Sequence, residues 1–312
     1  MKTILTTLIA LATASGFATE KTIVRNTDRF ELVYQLTVPK LAEPGTLWIP
    51  LARPDAHQKF DVLTIQSSLA WHRVRDKSGQ NDILVMKPKP TDHGQRVTIR
   101  YQVTRREKRA HHETGDPKVH LRAERLVPLN ARFTTIAKST TAKAKDDHDR
   151  ARALYRHVLD HMRYSKTGKG WGRGDALYAC DARTGNCTDF HAYFIALCRA
   201  INIPARFAIG FTIPADKDAG AIGGYHCWAE FHANGKWIPV DISEADKHPE
   251  LANYYFGHHP ANRLELSRGR DIAVKPAPKS GPFNYFFGPH LEVNGRKIPV
   301  KATFEFKRLP PQ

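Results

Sequence analysis

The segment of residues 224–243 constrains the fold most, because it contains two apolar-rich stretches joined by Asn234-Gly235. An Asn-Gly pair between two such stretches is the strongest short signal for a tight β-hairpin. If these two residues form the loop, Ala233 faces Lys236, and the register of the whole hairpin follows. The sequence therefore predicts a β-hairpin whose pairing is fixed residue by residue.

The predicted register brings a histidine and a carboxylate to one face of the hairpin. Trp228 faces Asp241, and His226 shares the face of Trp228 because strand side chains alternate. Asp241 is then a diagonal neighbour of His226, roughly 7–8 Å away between backbones, which the two side chains can bridge. We expect the carboxylate to orient the ring toward a nucleophile, with Trp228 packed beside it. In the alternative these are ordinary strand residues, since a register slip of one residue sends Asp241 to the other face.

Cys187 is the candidate nucleophile that such a histidine would serve. Downstream of it, apolar residues recur at three- and four-residue spacing and predict one face of an amphipathic helix: Phe190, Tyr193, Phe194, Leu197 and Ile201. Upstream, Asn186 is a candidate N-cap, and Asp189 takes the place of the acid in the first helical turn. A thiol there ionises more readily, because free backbone N–H groups and the helix dipole favour the thiolate. The alternative is a small buried apolar residue, the usual role of a lone cysteine.

These motifs together resemble the transglutaminase-like superfamily, whose papain-related fold carries a Cys-His-Asp triad. The resemblance rests on GNCTDFHAYFIALCRAINIPARFAIGF at residues 185–211, GYHCWAEF at 224–231 and GKWIPVDIS at 235–243. It implies that Cys187 is the nucleophile, His226 the base and Asp241 the orienting acid. The implied fold class is α+β, with a papain/transglutaminase-like core in which the cysteine-bearing helix packs on an antiparallel sheet.

The resemblance also implies a function: a thiol enzyme that acts by acyl transfer on peptide or carboxamide bonds. Hydrolysis by a peptidase or amidase is favoured, because bacterial members of the superfamily are often hydrolases. A protein-cross-linking transglutaminase is the alternative within the same chemistry, and a non-catalytic cell-envelope binding module is the alternative from another class. No metal or organic cofactor is implied.

One departure from papain-like enzymes concerns the oxyanion hole. Those enzymes place a glutamine shortly before the nucleophile, and no glutamine occurs between Cys180 and Cys187. Beside the backbone N–H of Cys187, the second donor is therefore expected to be Tyr178 or Trp171.

A zinc site is the rival interpretation of the same three side chains, since Cys187, His226 and Asp241 are all good zinc ligands. Structural zinc sites usually close with four ligands, whereas catalytic sites keep three ligands and a water. The pairs His111-His112 and His258-His259 are weaker candidates, because adjacent residues of a strand point to opposite faces. The sequence therefore favours acyl transfer over a zinc site.

The amino terminus has the pattern of a secretory signal peptide. Lys2 precedes an apolar stretch from Ile4 to about Ala12, and small residues follow up to Ala18. We expect cleavage after Ala18, with Ala14 as the alternative site. The apolar stretch is too short to span a bilayer comfortably. The sequence therefore predicts a periplasmic or secreted protein with no membrane span.

The formal net charge of +17 points to anionic partners. The expected substrate is a protein or peptide, and an anionic envelope component is a further candidate partner. Nucleic acid is disfavoured by the predicted export signal, despite the basic run at residues 105–109. The alternative is a well-solvated surface, which is what most charge runs are.

At 312 residues the chain is long enough for two domains. Short alternating stretches bounded by Pro, Gly and Asp predict a β-sandwich-like first domain. A helix is predicted at residues 143–164, and a hairpin around Asn294-Gly295. The predicted order is a signal peptide at 1–18, the all-β domain at 19–104, a charged linker at 105–125, the transglutaminase-like catalytic domain at 126–275 and a C-terminal hairpin extension at 276–312.

Three cysteines remain once Cys187 is assigned as the nucleophile. Cys198 follows on the same helix and is expected in the core. Cys227 should point to the face opposite His226, beneath the hairpin. One disulfide and one free thiol would fit an exported chain, and Cys180 could pair with Cys227 or, as an oxidative lock, with Cys187.

Overall fold

The computed structural model describes residues 24–310, so the predicted signal peptide lies outside the described residues. Its helices and strands are, in chain order, β1 (Thr27–Thr37), β2 (Thr46–Leu51), β3 (Gln58–Ser67), β4 (Trp71–Arg75), β5 (Asp82–Met86), β6 (Arg96–Arg106), α1 (Ala131–Thr140), α2 (Asp147–His161), β7 (Arg163–Tyr164), α3 (Ala176–Ala182), β8 (Thr184–Gly185), α4 (Cys187–Ala200), β9 (Ala205–Thr212), β10 (Ala219–Ala221), β11 (His226–Ala233), β12 (Lys236–Val240), α5 (Ile242–Lys247), β13 (Arg263–Arg268), β14 (His290–Val293), β15 (Arg296–Ile298) and β16 (Ala302–Arg308). Within this part of the chain, every helix is too short or too polar to cross a bilayer.

Two antiparallel five-stranded sheets form a sandwich. Their strand orders are β10-β16-β1-β6-β3 and β15-β14-β2-β5-β4. Strand β1 shows the alternation that its sequence predicts, with Phe30, Leu32, Tyr34 and Leu36 buried. These side chains share one apolar core with Ile49 and other residues of the facing sheet. Burial of alternate residues on two facing sheets is the arrangement that stabilises a β-sandwich.

The last strands of the chain complete both sheets of the sandwich. Strand β16 pairs with β1, where Phe30 faces Arg308, and β14 pairs with β2, where Trp48 faces His290. The predicted hairpin around Asn294-Gly295 is present as β14 and β15. Its pairing with β2 joins segments more than two hundred residues apart, which local sequence patterns do not reveal. The domain boundaries themselves stay a prediction.

The segment predicted as a charged linker, residues 105–125, is packed against the rest of the molecule. Lys108 is fully buried, and its Nζ lies 3.3 Å from Glu230, 3.4 Å from Glu265 and 3.5 Å from Asp55. Buried ammonium groups require such partners, since an unpaired charge inside a protein is strongly unfavourable. Lys108 of this segment therefore connects the sandwich to the strands β11 and β13.

Helix α4 packs on the second structural unit, the antiparallel sheet β12-β11-β9-β13. This arrangement confirms the predicted α+β class. The predicted amphipathic character of α4 is wrong, because all its residues except Ala200 are buried. The helix contacts β9 and β11 of the sheet and also four helices, α1, α2, α3 and α5. The helix predicted at 143–164 is shorter, and α1 was not predicted because it buries only Phe133 and Ala137.

The hairpin has the predicted register. Ala233 faces Lys236, and the pairing continues through Phe231 with Ile238. The ladder ends where Ala229 faces Val240, so the next residue is free to leave the strand direction. Asp241 does so and becomes the N-cap of α5.

Candidate active site

Cys187 is the first residue of α4, and its N-cap is Asn186 as predicted. The Asn186 Oδ1 accepts a hydrogen bond from the Thr188 N–H over 2.9 Å, and Asp189 Oδ2 accepts one from the Asn186 N–H over 3.0 Å. This reciprocal pair fixes the first turn of the helix. The thiol therefore lies at the positive end of the α4 dipole, and it is 2% exposed.

A glycine-rich loop, residues 165–174, is fastened to the same helix start. Asp189 accepts hydrogen bonds from the N–H groups of Gly172 at 2.7 Å and Gly174 at 3.0 Å. Gly172 has a φ of 81°, and a side chain there would lie 3.4 Å from the Asn186 amide nitrogen. The backbone conformation therefore favours glycine at this position, whereas the distance to Asn186 is an ordinary contact.

The imidazole of His226 is bound to the carboxylate of Asp241. His226 Nε2 lies 2.7 Å from Asp241 Oδ2, and both side chains are buried. The second oxygen, Oδ1, accepts hydrogen bonds from Ser243 Oγ at 3.2 Å and from the Glu244 N–H at 3.1 Å. Because Nε2 faces the carboxylate, Nδ1 is the ring nitrogen left for the thiol. The predicted proximity of His226 and Asp241 is therefore present, although Asp241 caps α5 and does not face Trp228 in the ladder.

Arg263 is a further partner of Asp241 that the sequence did not reveal. Its Nη1 lies 3.2 Å from Asp241 Oδ2, and its guanidinium carbon lies 4.7 Å from the centre of the Trp228 ring. Trp228 is fully buried, with its ring centre 5.9 Å from that of His226, so the predicted packing beside the imidazole is confirmed.

The electrostatics favour a thiolate and an imidazolium. Burial raises the pKa of Cys187, but hydrogen bonds from Cys227 and His226 and the His226 charge outweigh it and hold that pKa well below its usual value. Burial lowers the pKa of His226, but the Asp241 carboxylate raises it to about 10. The pKa of Asp241 stays well below its usual range, because the charges of His226 and Arg263 outweigh its burial. At neutral pH the site therefore holds a Cys187 thiolate, a His226 imidazolium and an Asp241 carboxylate, whose charges alternate in sign.

Cys227 is fully buried under the hairpin, as expected, and it lies beside the nucleophile. It hydrogen-bonds to Cys187, and its Sγ lies 3.7 Å from His191 Nδ1. Burial raises its pKa well above the usual value, so it stays a thiol and donates to the Cys187 thiolate. His226 is the first residue of β11, so its side chain can reach the Cys187 thiol around the end of the strand. Cys227, the next residue, faces α4 directly.

The other cysteines carry no cross-link. Cys180, Cys187, Cys198 and Cys227 are all free and buried, so the disulfide that would fit an exported chain is absent among these four residues. Cys198 is fully buried in the core, as expected. Cys180 instead contacts Tyr193, with 3.6 Å between Sγ and Oη.

His191 ties the start of α4 to the strand end that carries Asp241. It is fully buried, its Nδ1 lies 2.7 Å from the Cys187 carbonyl oxygen, and its Nε2 accepts the Ile242 N–H over 3.1 Å. Because Nε2 accepts, Nδ1 carries the proton and donates it. Burial lowers the pKa of His191, which keeps the ring neutral. A role for His191 was not predicted from the sequence, although the residue lies one helical turn after Cys187.

Neither of the two predicted second oxyanion donors, Tyr178 and Trp171, has a described contact with the Cys187 thiol. The ring of Tyr178 packs on Gly170, where a side chain would lie 2.8 Å from it, and no described contact joins Trp171 to Cys187. Tyr225 is closer to the helix start, because its Oη accepts a hydrogen bond from Asn186 Nδ2 over 2.8 Å. Its position next to His226 in the sequence was the signal available for it.

The triad atoms are not arranged as a set of metal ligands. In residues 24–310, the only three ligand atoms of His, Cys, Asp or Glu that lie within 4.8 Å of one another belong to Asp146, His148 and Asp149, at the exposed start of α2. Of the two histidine pairs, His111 binds the Arg109 carbonyl oxygen and His259 the Val240 carbonyl oxygen. The geometry therefore gives the zinc interpretation no support.

Comparison with known proteins gives the class of this domain. Residues 134–242 match the family described as the transglutaminase-like superfamily. This stretch contains α4, the hairpin and Asp241, so the chain carries a domain of that superfamily.

Individual relatives are similar over a larger part of the chain than this domain. An uncharacterised protein of Haemophilus influenzae is 23% identical over 338 residues, which cover 90% of this chain and 91% of that protein. The crystal structure of a candidate cysteine protease from Cytophaga hutchinsonii has a TM-score of 0.63 at 16% identity, covering 92% of both chains. This likeness shows a shared fold. The periplasmic domain of TgpA from Pseudomonas aeruginosa, bound to ethylmercury, covers 73% of this chain and 93% of its own at 17% identity, but its TM-score of 0.38 is too low to support an inference.

Proposed function

We propose that this protein is a thiol enzyme that cleaves peptide or carboxamide bonds by acyl transfer, with Cys187, His226 and Asp241 as its triad. The observation that carries the proposal is the 2.7 Å bond between His226 Nε2 and Asp241 Oδ2 beside a buried thiol of depressed pKa. A buried nucleophile, a base within its reach and a carboxylate orienting that base are the parts that nucleophilic catalysis requires.

The first half of the reaction forms an acyl-enzyme. The Cys187 thiolate attacks the carbonyl carbon, and the carbonyl oxygen becomes an oxyanion. The His226 imidazolium then gives its proton to the leaving nitrogen as the carbon–nitrogen bond breaks. Asp241 stabilises the imidazolium and holds the ring with Nδ1 toward the sulfur.

The oxyanion needs hydrogen-bond donors at the start of α4. The backbone N–H of Cys187 belongs to the first turn, where amides have no intrahelical partner. The Tyr225 hydroxyl is the second donor that we propose, in place of Tyr178 or Trp171. Its oxygen already accepts the Asn186 amide, and this strengthens its O–H as a donor. Each donor of this kind contributes about 10²–10³-fold to kcat in comparable sites.

The second half of the reaction releases the acyl group. The neutral His226 takes a proton from water, the resulting hydroxide attacks the thioester, and Cys187 leaves as the thiolate. The products are a carboxylic acid and the amine released earlier. Transfer to an amine instead of water would give a cross-linking enzyme, which is the alternative activity. We favour hydrolysis because the resemblance leads toward bacterial hydrolases.

The proposed place of action is the periplasm or the exterior of the cell. The support is the signal-peptide pattern at residues 1–18, which ends in small residues up to Ala18. Expression of the full chain in a Gram-negative host, followed by fractionation and N-terminal sequencing, tests this part. A mature chain that starts at Thr19 in the periplasmic fraction is expected, and an uncleaved cytoplasmic chain would contradict it.

The activity is tested with an unbiased peptide library and a fluorescent primary amine. Wild type should create new carboxyl termini without incorporating the amine, while Cys187→Ala should do neither. Cys198→Ala is the matched control, because it removes a buried cysteine outside the site. Amine incorporation would assign the cross-linking alternative. Equal results for wild type and Cys187→Ala would leave a non-catalytic binding module as the function.

A further inference from the structure

The glycine-rich loop at residues 165–174 lies at the rim of the candidate active site. At its first end, the Ser165 N–H donates to the Gly185 carbonyl oxygen over 2.9 Å, and Tyr164 pairs with Gly185 in a short parallel ladder. At its other end, Asp189 holds the backbone of Gly172, and Tyr285 Oη donates to the Gly172 carbonyl oxygen over 2.6 Å. Both ends are therefore fixed to the residues around Cys187.

The loop carries three cationic side chains that have no acidic partner among the described residues. Lys166, Lys169 and Arg173 are exposed, and residues 165–174 contain no acidic residue. Within the described part of the chain, none of these three cations forms an ion pair. The nearest contact of Lys166 is the ring of Tyr164, 6.0 Å from its ammonium nitrogen.

Two other cations at this rim are paired with acids, and two further acids, Asp175 and Asp189, bind backbone N–H groups. Lys247 Nζ lies 2.7 Å from Glu244 Oε1, and Arg163 Nη1 lies 3.9 Å from Asp246 Oδ1. The three loop cations outnumber the two acids outside these pairs, so the rim keeps a surplus of positive charge. Unpaired cations on a backbone held in place next to a nucleophile attract anions to that nucleophile.

We infer that Lys166, Lys169 and Arg173 form a carboxylate-binding subsite, so that the substrate carries an acidic side chain or a free carboxylate next to the scissile amide. This inference rests on the proposed thiol chemistry and adds the substrate class to it. Carboxylates pair with lysine and arginine side chains, and the loop offers three of these without an internal competitor. An exposed pair changes affinity only a few-fold, so the three cations together should favour an acidic substrate by about 10-fold.

The test uses two matched pairs of thiol-reactive probes and needs no knowledge of the natural substrate. Iodoacetate is compared with iodoacetamide, and acetyl-Gly-Glu-Gly chloromethyl ketone with its Gln counterpart. The loop variant is Lys166→Gln/Lys169→Gln/Arg173→Gln. The control variant, Lys59→Gln/Lys87→Gln/Arg296→Gln, removes the same number of exposed charges from the sandwich. The quantity measured is the ratio of rate constants at Cys187, anionic probe over neutral probe, which cancels any change in thiol reactivity.

In wild type and in the control variant, the ratio for the peptide probes should be high at low salt and fall as salt is added. In the loop variant it should be about 10-fold lower at low salt. Equal ratios in the loop variant and wild type would overturn the subsite and make the three cations a solvated surface. Slow, uniform labelling of all thiols by iodoacetamide in wild type would overturn the thiol chemistry itself, and the inference with it.

Discussion

Arg263 and Asp241 form a buried ion pair: Nη1 of the arginine lies 3.2 Å from Oδ2 of the aspartate, with side chains 1% and 0% exposed. The same oxygen accepts the hydrogen bond of His226. The carboxylate therefore lies between two positive groups and has both a structural and a proposed catalytic role. A buried pair of this kind costs far more to break than it contributes as a pair.

Asp241→Asn should reduce both turnover and stability. The amide keeps the shape of the site but removes the charge that stabilises the His226 imidazolium, so kcat/KM should fall by about 10³-fold or more. It also leaves Arg263 as an uncompensated buried charge, which should lower the free energy of unfolding by about 3–5 kcal/mol. Enzyme kinetics and urea unfolding measure the two effects, with Asp61→Asn, on the exposed side of the sandwich, as control. Wild-type turnover in Asp241→Asn would reduce the proposed triad to a Cys187–His226 dyad.

His191 should act as a positioning residue, because it links the Cys187 carbonyl to the Ile242 N–H beside Asp241. His191→Leu removes both hydrogen bonds, whereas His191→Gln can keep a donor and an acceptor. We expect the pH midpoint of iodoacetamide labelling at Cys187 to rise in His191→Leu and to stay nearer to wild type in His191→Gln. If both variants only lower the melting temperature and leave that midpoint unchanged, the role of His191 is purely structural.

Tyr225→Phe tests the second oxyanion donor. Loss of the hydroxyl should lower kcat by about 10²–10³-fold with a smaller change in KM, because the hydrogen bond forms mainly in the transition state. Tyr178→Phe is the matched variant, since its ring packs on Gly170. A larger loss of kcat in Tyr178→Phe than in Tyr225→Phe would restore the donor that the sequence suggested.

Short sequence patterns predicted two parts of the site that depend on neighbouring residues, the hairpin register and the cap of α4. Asn234-Gly235 fixes the hairpin register, which in turn places His226 near Asp241. Asn186 and Asp189 form the expected cap of α4 because their side chains bond to backbone groups within three residues.

Long-range contacts determined what the sequence did not reveal. Arg263 reaches Asp241 only because β13 pairs with β9, and no spacing rule connects two residues so far apart in the chain. The burial of nearly all of α4 likewise depends on the four helices that contact it. His191 is the intermediate case, since its one-turn spacing from Cys187 was visible but its partner Ile242 was not.

The buried ion pairs of Lys108 lead to a prediction about stability. Lys108→Met keeps the length of the side chain but leaves Glu230 and Glu265 without their shared cation. The free energy of unfolding should fall by about 1–3 kcal/mol, because each carboxylate keeps an arginine partner and is not left uncompensated. Urea denaturation measures this change, and Lys59→Met, at an exposed position, is the control. A change of less than about 1 kcal/mol, the range of exposed ion pairs, would contradict a structural role for the buried ammonium.

The pH dependence of iodoacetamide labelling, followed at each cysteine by mass spectrometry, tests the proposed thiolate–imidazolium pair most directly. Because the pKa of Cys187 is depressed, its labelling rate should already be on a plateau at pH 7, while Cys198 and Cys227, whose pKa values are raised, stay unlabelled in the folded protein. His226→Ala should move the midpoint of Cys187 up toward about 8.5, the value of a free thiol. In wild type, kcat/KM should fall as the pH rises through about 10, where His226 loses its proton. A Cys187 rate that climbs only around the free-thiol value, and does not respond to His226→Ala, would contradict the account.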